Sequence, residues 1–221
     1  SNNDAGCLLV DKDHYIWIAT WGGGVNRFDP RTEEFFYLKH QPNDSNTLSD
    51  NRVQHIYQDR KGIFWFGTYS GGLNRYDAQT GTITRYSHQK DNPNSLSHNR
   101  VWCITEDASG DLWIATDGGL DRLDAERKTF RHYRYDSSDP NSISDSQIQW
   151  LYLDREGYLW IGTKKGLNRY LPSSDSFRRY LHNPSDTQSL SSNLIYSILE
   201  DHYGFLWVGT NDAGLNRMDK K

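Results

Sequence analysis

A fivefold recurrence constrains this chain more than any other feature. Trp17, Trp65, Trp113, Trp160 and Trp207 stand 48, 48, 47 and 47 residues apart, each inside the same pattern. An apolar residue precedes the tryptophan; an apolar residue, Gly or Ala, and Thr follow it. After a glycine-containing gap come Leu or Val, Asn or Asp, and Arg. So steady a period means that one supersecondary unit is laid down repeatedly and that each copy buries its apolar surface against its neighbours.

The second copy shows what the unit contains. Residues 53–59 (VQHIYQD) are rich in β-branched and aromatic residues and predict a short strand. Asp59-Arg60-Lys61-Gly62 follows, with Asp first and Gly fourth as a type I turn favours. The turn recurs at Asp107–Gly110, Asp154–Gly157 and Asp201–Gly204, whereas the first copy has Asp11 but His14 in the glycine position. Residues 63–68 (IFWFGT) are apolar at successive positions, which predicts a strand buried on both faces. Strands at 73–77 and 82–87 complete the unit, and a polar stretch rich in Asp, Asn, Pro and Ser, 88–99, leads to the next.

No stretch has a helical period. Four short strands in each unit, covered on both faces, are expected to stack radially as the blades of an all-β propeller. One domain over 1–221 is expected, with repeats at 6–40, 53–88, 101–135, 148–182 and 195–219. Four are complete and the fifth has three strands, with Ser1 to Ala5 too few and too polar to supply the missing one. The expectation is therefore a fragment of a larger propeller, or a five-bladed ring closed without strand exchange. Open blade edges make self-association an expected property.

Composition excludes several classes. Mean hydropathy is −0.88, but an aromatic content of 14% is too high for a disordered chain. The 25 basic and 29 acidic residues are interspersed, so there is no footprint for nucleic acid and no polybasic patch for a membrane surface. No apolar run approaches the ~18 residues that span a bilayer, so no direct membrane insertion is expected of this segment. Cys7 and Cys103 hold the same repeat position two units apart, and two free thiols are expected.

The run Asp154 to Tyr170, D-x-x-G-x-L-W-I-G-T-x-x-G-L-N-R-Y, resembles the two-component regulator propeller repeat, and D-P-N-S-I-S at Asp139 to Ser144 resembles the linker between such repeats. The likeness covers nearly the whole chain. It implies a propeller, usually of seven blades, on the periplasmic side of a membrane-bound histidine kinase or diguanylate cyclase, where it serves as signal input. Some members sense carbohydrates. The five motifs here are fewer than seven, and the effector domain is absent from this sequence.

Most recurring residues read as framework. The motif tryptophans are expected in the core rather than in a sugar site. Arg27, Arg75, Arg122, Arg169 and Arg217 occupy one position in every unit and are expected to bond a turn Asp or a neighbouring carbonyl. His40, His88 and His182 share a position on separate outer strands, too far apart for a metal centre, and His55 is expected to be a packed residue. The Asn/Asp-rich runs at 43–46 and 91–94 lack the ligands of a calcium loop and read as self-capping turns. No cofactor is implied, and no catalytic triad stands out.

The informative positions are those that break the repeat. The gap after the motif threonine begins with Trp21, Tyr69, Asp117, Lys164 and Asn211 in the five units. With Arg52 and Arg100, at the start of inner strands, these residues are expected to share one face of the propeller and to form a site for a polar small ligand, carbohydrate among them. The function expected is an extracytoplasmic sensor domain without enzymatic activity. The rivals are a protein-interaction or dimerisation scaffold and, third, a propeller enzyme.

Overall fold

The computed structural model describes residues 4–220, and among these there are strands, turns and loops and no helix. Five antiparallel sheets follow the five motifs. The first contains β1 (Ala5–Val10), β2 (Ile16–Thr20), β3 (Gly24–Asp29) and β4 (Glu34–Leu38); the second contains β5 (Val53–Gln58), β6 (Phe64–Thr68), β7 (Leu73–Asp77) and β8 (Thr82–Tyr86). The third contains β9 (Val101–Glu106), β10 (Leu112–Thr116), β11 (Gly119–Leu123) and β12 (Phe130–Tyr133); the fourth, β13 (Ile148–Leu153), β14 (Leu159–Thr163), β15 (Gly166–Leu171) and β16 (Ser176–Tyr180). The fifth has three described strands, β17 (Ile195–Glu200), β18 (Leu206–Thr210) and β19 (Leu215–Met218). In every sheet the strands pair in chain order, so each is a meander, the form of a propeller blade.

The described residues fall into two compact units, one running to Ile104 and the other starting at Thr105. In the first unit Trp17, Val25, Leu48, Val53, Ile56, Phe64, Phe66 and Tyr76 form one apolar cluster drawn from the first two sheets and the loop between them. In the second, Trp160, Leu167, Ile195, Ile198, Leu206 and Val208 do the same for the fourth and fifth. All five residues of β6, β10 and β14 are buried, as expected for a strand covered on both faces. The glycine after the motif tryptophan has a packing reason. A Cβ at Gly67 would lie 2.7 Å from Val101 Cγ1, and one at Gly162 would lie 2.7 Å from Ile195 Cγ2. Alternative residues at that position are limited to alanine, as at Ala19 and Ala115, both fully buried.

Strand ends differ from expectation by about one residue, for a reason that recurs. Asp11 and Asp59 leave the strand because their carboxylates organise the turn. Asp59 Oδ1 accepts the N–H groups of Lys61 (3.0 Å) and Ile63 (3.0 Å), and its carbonyl accepts that of Gly62 (2.8 Å). Asp59 Oδ2 accepts the indole N–H of Trp65 at 2.9 Å. The same aspartate–indole bond is 2.7 Å at Trp17, 2.8 Å at Trp113, 2.9 Å at Trp160 and 2.7 Å at Trp207. One carboxylate per unit thus closes the turn and satisfies the single polar atom of the buried tryptophan. The turn needs a left-handed residue at its fourth position: φ is 81° at Gly62 and 85° at Gly157, and His14 adopts 66°.

The recurring arginines are framework, but their partners are mainly rings. Each lies directly across from the motif tryptophan, as Arg27 from Trp17 and Arg169 from Trp160. The Arg27 guanidinium carbon is 4.5 Å from the Tyr15 ring centroid, that of Arg169 is 4.8 Å from Tyr158, and that of Arg217 is 4.7 Å from Phe205. Arg122 follows the expectation of a carboxylate partner and pairs with Asp111 at 2.6 Å. The three shared histidines are also structural. His40, His88 and His182 point Nδ1 at the carbonyls of Leu48, Leu96 and Leu190 (2.7, 2.6 and 2.5 Å), which requires a proton on that nitrogen and holds the polar loop folded. Ser1 to Asn3 lie outside the described residues, while Asp4 accepts the Trp21 N–H and Ala5 opens β1.

Candidate functional site

The gap after the motif threonine is built on a constant base. Thr20, Thr68, Thr116, Thr163 and Thr210 each donate their hydroxyl to the carbonyl of the glycine that ends the gap, at 2.7–2.9 Å. The backbone N–H of the first gap residue is tied as well: Tyr69 to the Arg52 carbonyl at 2.9 Å, Lys164 to that of Gln147 at 3.3 Å, Asn211 to that of Leu194 at 3.0 Å. Neither anchor uses the gap side chain.

In the first unit these side chains meet. Trp21 forms an isolated bridge with Arg52, and its ring stands nearly edge-on to Tyr69, with centroids 4.8 Å apart and planes at 73°. The Arg52 guanidinium carbon is 4.7 Å from the Tyr69 centroid and that of Arg100 is 3.9 Å from it. Arg100 also lies 5.7 Å from the Trp102 ring. Trp21 is 39% exposed, so one amphipathic indole surface faces solvent beside two guanidiniums. Arg52 is held in place by Asp50 (2.8 Å) and by Ser70 Oγ (2.6 Å), and Ser70 in turn donates to Asp50 at 2.6 Å. Burial works against the Asp50 charge, but the bonds from Arg52 and Ser70 outweigh it and hold its pKa below the usual carboxylate range. Arg52 is correspondingly raised by its bond to Asp50. The arrangement is a rigid cationic and aromatic surface suited to a ligand with a flat apolar face and polar or anionic edges.

Of the residues expected to share a site, the structure therefore brings Trp21, Tyr69, Arg52 and Arg100 together. Asp117, Lys164 and Asn211 occupy the same gap position on the three sheets of the second unit, one to a sheet, with Lys164 and Asn211 exposed. Trp102 and Asp50 belong to the cluster and were not anticipated, whereas Ser70 is the second residue of the variable gap and joins it through Arg52 and Asp50. For Trp102 there was a signal, because Trp21, Trp102 and Trp150 are the tryptophans outside the repeat motif.

His55 and Cys103 lie together elsewhere in the first unit, with Sγ 3.6 Å from Nε2. Desolvation brings the His55 pKa down to about 4, so the imidazole is neutral at physiological pH, as a packed residue would be. Both cysteines are free thiols. Among the described residues no group of three His, Cys, Asp or Glu side chains is arranged to hold a metal ion.

The meander sheets, with buried tryptophans between them and variable tips at the gaps, define the chain as one built from β-propeller blades. More narrowly, it belongs to the two component regulator propeller family, whose model matches residues 1–22, 47–70, 95–118, 142–165 and 189–212, more than half of the chain. Solved structures agree. The extracellular domain assigned to the hybrid two component system BT4673 of B. thetaiotaomicron is 26% identical, with a TM-score of 0.79 over 99% of this chain and 30% of that one. The corresponding domain of BT3049 from B. thetaiotaomicron is 23% identical, with a TM-score of 0.72 over 100% of this chain and 34% of that one. Virginiamycin B lyase from Staphylococcus aureus, at 16% identity and a TM-score of 0.69 over 99% of this chain and 71% of that one, shares the fold. The chain thus spans about a third of the length of the two-component domains it resembles. A comparison with curated proteins finds no match.

Proposed function

We propose that the chain is part of the extracytoplasmic input region of a two-component signalling protein, and that it binds a polar ligand of the carbohydrate class at Trp21, Tyr69, Arg52 and Arg100. Asp117, Lys164 and Asn211 are proposed as ligand contacts of the second unit by itself, at the same gap position. The observation that carries this reading is the first-unit cluster, where an exposed indole and two guanidiniums converge on one tyrosine at positions the framework leaves unconstrained. Membership of the family and the likeness to extracellular two-component domains support the input role and a location outside the cytoplasm, on the periplasmic side of an inner membrane. No helix among the described residues is long and apolar enough to cross a membrane.

Binding rather than catalysis is favoured because the recurring polar residues are committed to structural bonds: aspartate to indole, arginine to ring, histidine to loop carbonyl. A thermal-shift screen of neutral and acidic oligosaccharides tests the reading. A hit is expected whose affinity falls at least ~10-fold on Trp21→Ala with Tyr69→Ala, the loss of two stacked side chains. A hit that survives both substitutions would refute the site.

A second reading rests on a separate observation. Leu8 (65% exposed) and Val10 (64%) on β1, and Tyr196 (61%) and Leu199 (59%) on β17, present apolar side chains to solvent. These suit self-association, for which a concentration-dependent dimer without any ligand hit would be the signature.

A further inference from the structure

Within the first unit a cavity of about 200 Å³ opens where the turn between β1 and β2 meets the β5–β6 and β7–β8 turns. It lies away from the Trp21 cluster. Tyr15, in its wall, precedes β2 and Trp21 follows that strand, a separation of roughly 20 Å along an extended chain. Trp17, Ile63 and Phe64 give the cavity an apolar lining beside the Tyr15 ring, and the Trp17 and Phe64 centroids are 4.1 Å apart. Its cations are Arg27, Lys12 and Lys61.

Arg27 sets the chemistry. Its guanidinium carbon is 4.5 Å from the Tyr15 ring centroid, 5.1 Å from that of Phe36 and 5.7 Å from that of Trp17, and it makes no hydrogen bond or ion pair with any described residue. Aromatic faces stabilise the charge but leave the N–H donors of the fork unused. The third sheet shows what such a fork takes when a carboxylate is within reach. Asp111 stands two residues before Trp113, where the first sheet has Tyr15 before Trp17. Asp111 Oδ2 accepts from Arg122 Nε at 2.7 Å and from Nη2 at 2.6 Å. With tyrosine at that position, Arg27 has a ring and an open space where Arg122 has a carboxylate.

The acidic residues of the cavity do not fill that role. Asp11 is spent on the N–H groups of Asp13 (2.9 Å) and Tyr15 (3.0 Å) and on the Trp17 indole (2.7 Å). Asp77 accepts the N–H groups of Gln79 (3.0 Å) and Thr80 (3.4 Å). Asp13 is exposed, as are Lys12 and Lys61, so the solvent side carries two basic side chains to one acidic.

We propose that this cavity is a second ligand site, for a small monocarboxylate with a flat apolar body, whose carboxylate takes on Arg27 the place that Asp111 holds on Arg122. The body lies against Tyr15, Ile63 and Phe64, and the Gln58 and Gln79 amides are in the wall to meet polar substituents. The volume is below the ~300–1,000 Å³ of sites for drug-sized ligands, which limits the occupant to about the size of benzoate. A guanidinium matches a planar carboxylate in shape and charge, so it selects an acid over the neutral amide of the same outline.

Isothermal titration of the whole chain with benzoate is expected to show saturable binding with a Kd of about 1 mM, and benzamide should bind at least ~10-fold more weakly. Tyr15→Asp puts a carboxylate where the third sheet has one and should abolish benzoate binding by occupying Arg27. Tyr15→Asn removes the ring without adding the charge and should stay within ~5-fold of the parent. Circular dichroism verifies that both variants are folded, and the comparison of benzoate with benzamide needs neither. Hydrogen exchange of the parent with benzoate bound is expected to slow at 11–15 and 61–64, not at the gap residues 21–22 and 69–72. Absence of saturable binding, equal binding of benzamide, equal effects of Tyr15→Asp and Tyr15→Asn, or protection confined to the gaps would overturn the proposal.

Discussion

Replacing Asp59 by alanine tests the aspartate–indole lock. Asp59 is 5% exposed and its carboxylate accepts three N–H groups, two from the turn backbone and one from Trp65. The turn N–H groups of the variant can recover water, because Lys61 and Ile63 are not fully buried. The Trp65 indole cannot, since the residue is 0% exposed. Stranding a buried donor costs about 1–3 kcal/mol and losing bonds to a charged acceptor about 1.5–3 kcal/mol, so about 3 kcal/mol is expected in total. For a chain of this size that lowers the midpoint of thermal unfolding by roughly 6–12 °C. Asp59→Asn keeps an oxygen for the turn but sets an amide N–H₂ against the indole donor, and should cost about half as much. Trp65→Phe combined with Asp59→Ala should be less damaging than the two single changes added together, with a coupling of about 1–2 kcal/mol. Urea unfolding followed by circular dichroism measures the parent and the four variants. Destabilisation below about 0.5 kcal/mol for Asp59→Ala, or additive single effects, would show that the indole bond does not hold the repeat.

Two further outcomes concern particular departures from the repeat. His14→Gly should stabilise the first sheet by about 0.5–1 kcal/mol, because φ there is 66° and a side chain resists that conformation; a denaturant midpoint at or below that of the parent would contradict it. The Lys220 side chain is 5% exposed and reaches Asp154 Oδ2 (3.1 Å) and Glu200 Oε1 (2.8 Å), so Lys220→Ala should cost about 3–5 kcal/mol by leaving two buried carboxylates uncompensated. Burial opposes the charges on Asp154 and Glu200, yet the bonds to Trp160, Lys220 and the turn win and lower both pKa values. Their contribution is therefore complete above the unfolded carboxylate range of about 4 and disappears as pH falls through the lower folded values. Burial likewise opposes the charge of Lys220, but its carboxylate partners raise its pKa, and that contribution is lost only as pH rises through the raised value. A stability profile of Lys220→Ala that kept the parent's acid slope would exclude this linkage.

Much of the fold was legible because the repeat prints each rule five times. Unbroken apolar runs at 63–68 and 159–163 gave the doubly buried strands, and Asp-x-x-Gly gave the turns. The partners of the polar framework were harder to see. Asp59 and Trp65 recur six residues apart in every copy, but that they bond requires knowing that the turn folds the carboxylate back over the strand it precedes. The ring under Arg27, Arg169 and Arg217 stands two residues before the tryptophan, where Ile63 and Asp111 interrupt the aromatic series and hide the pattern. At the gaps, variability marked the right positions, but Trp102 reached the cluster only through the approach of the following strand, a distance that no spacing within one repeat encodes.

The hydroxyl-to-carbonyl clasp beneath each gap has a consequence for how such a chain changes over time. Because threonine and one backbone anchor bear the curvature, the dipeptide above them is interchangeable between gaps of equal length, like type set in a fixed frame. Moving Tyr69-Ser70 into the place of Asn211-Asp212, in a gap of the same length, should leave melting behaviour intact while relocating recognition. A lineage built this way can acquire a new ligand one tip at a time, without renegotiating its core.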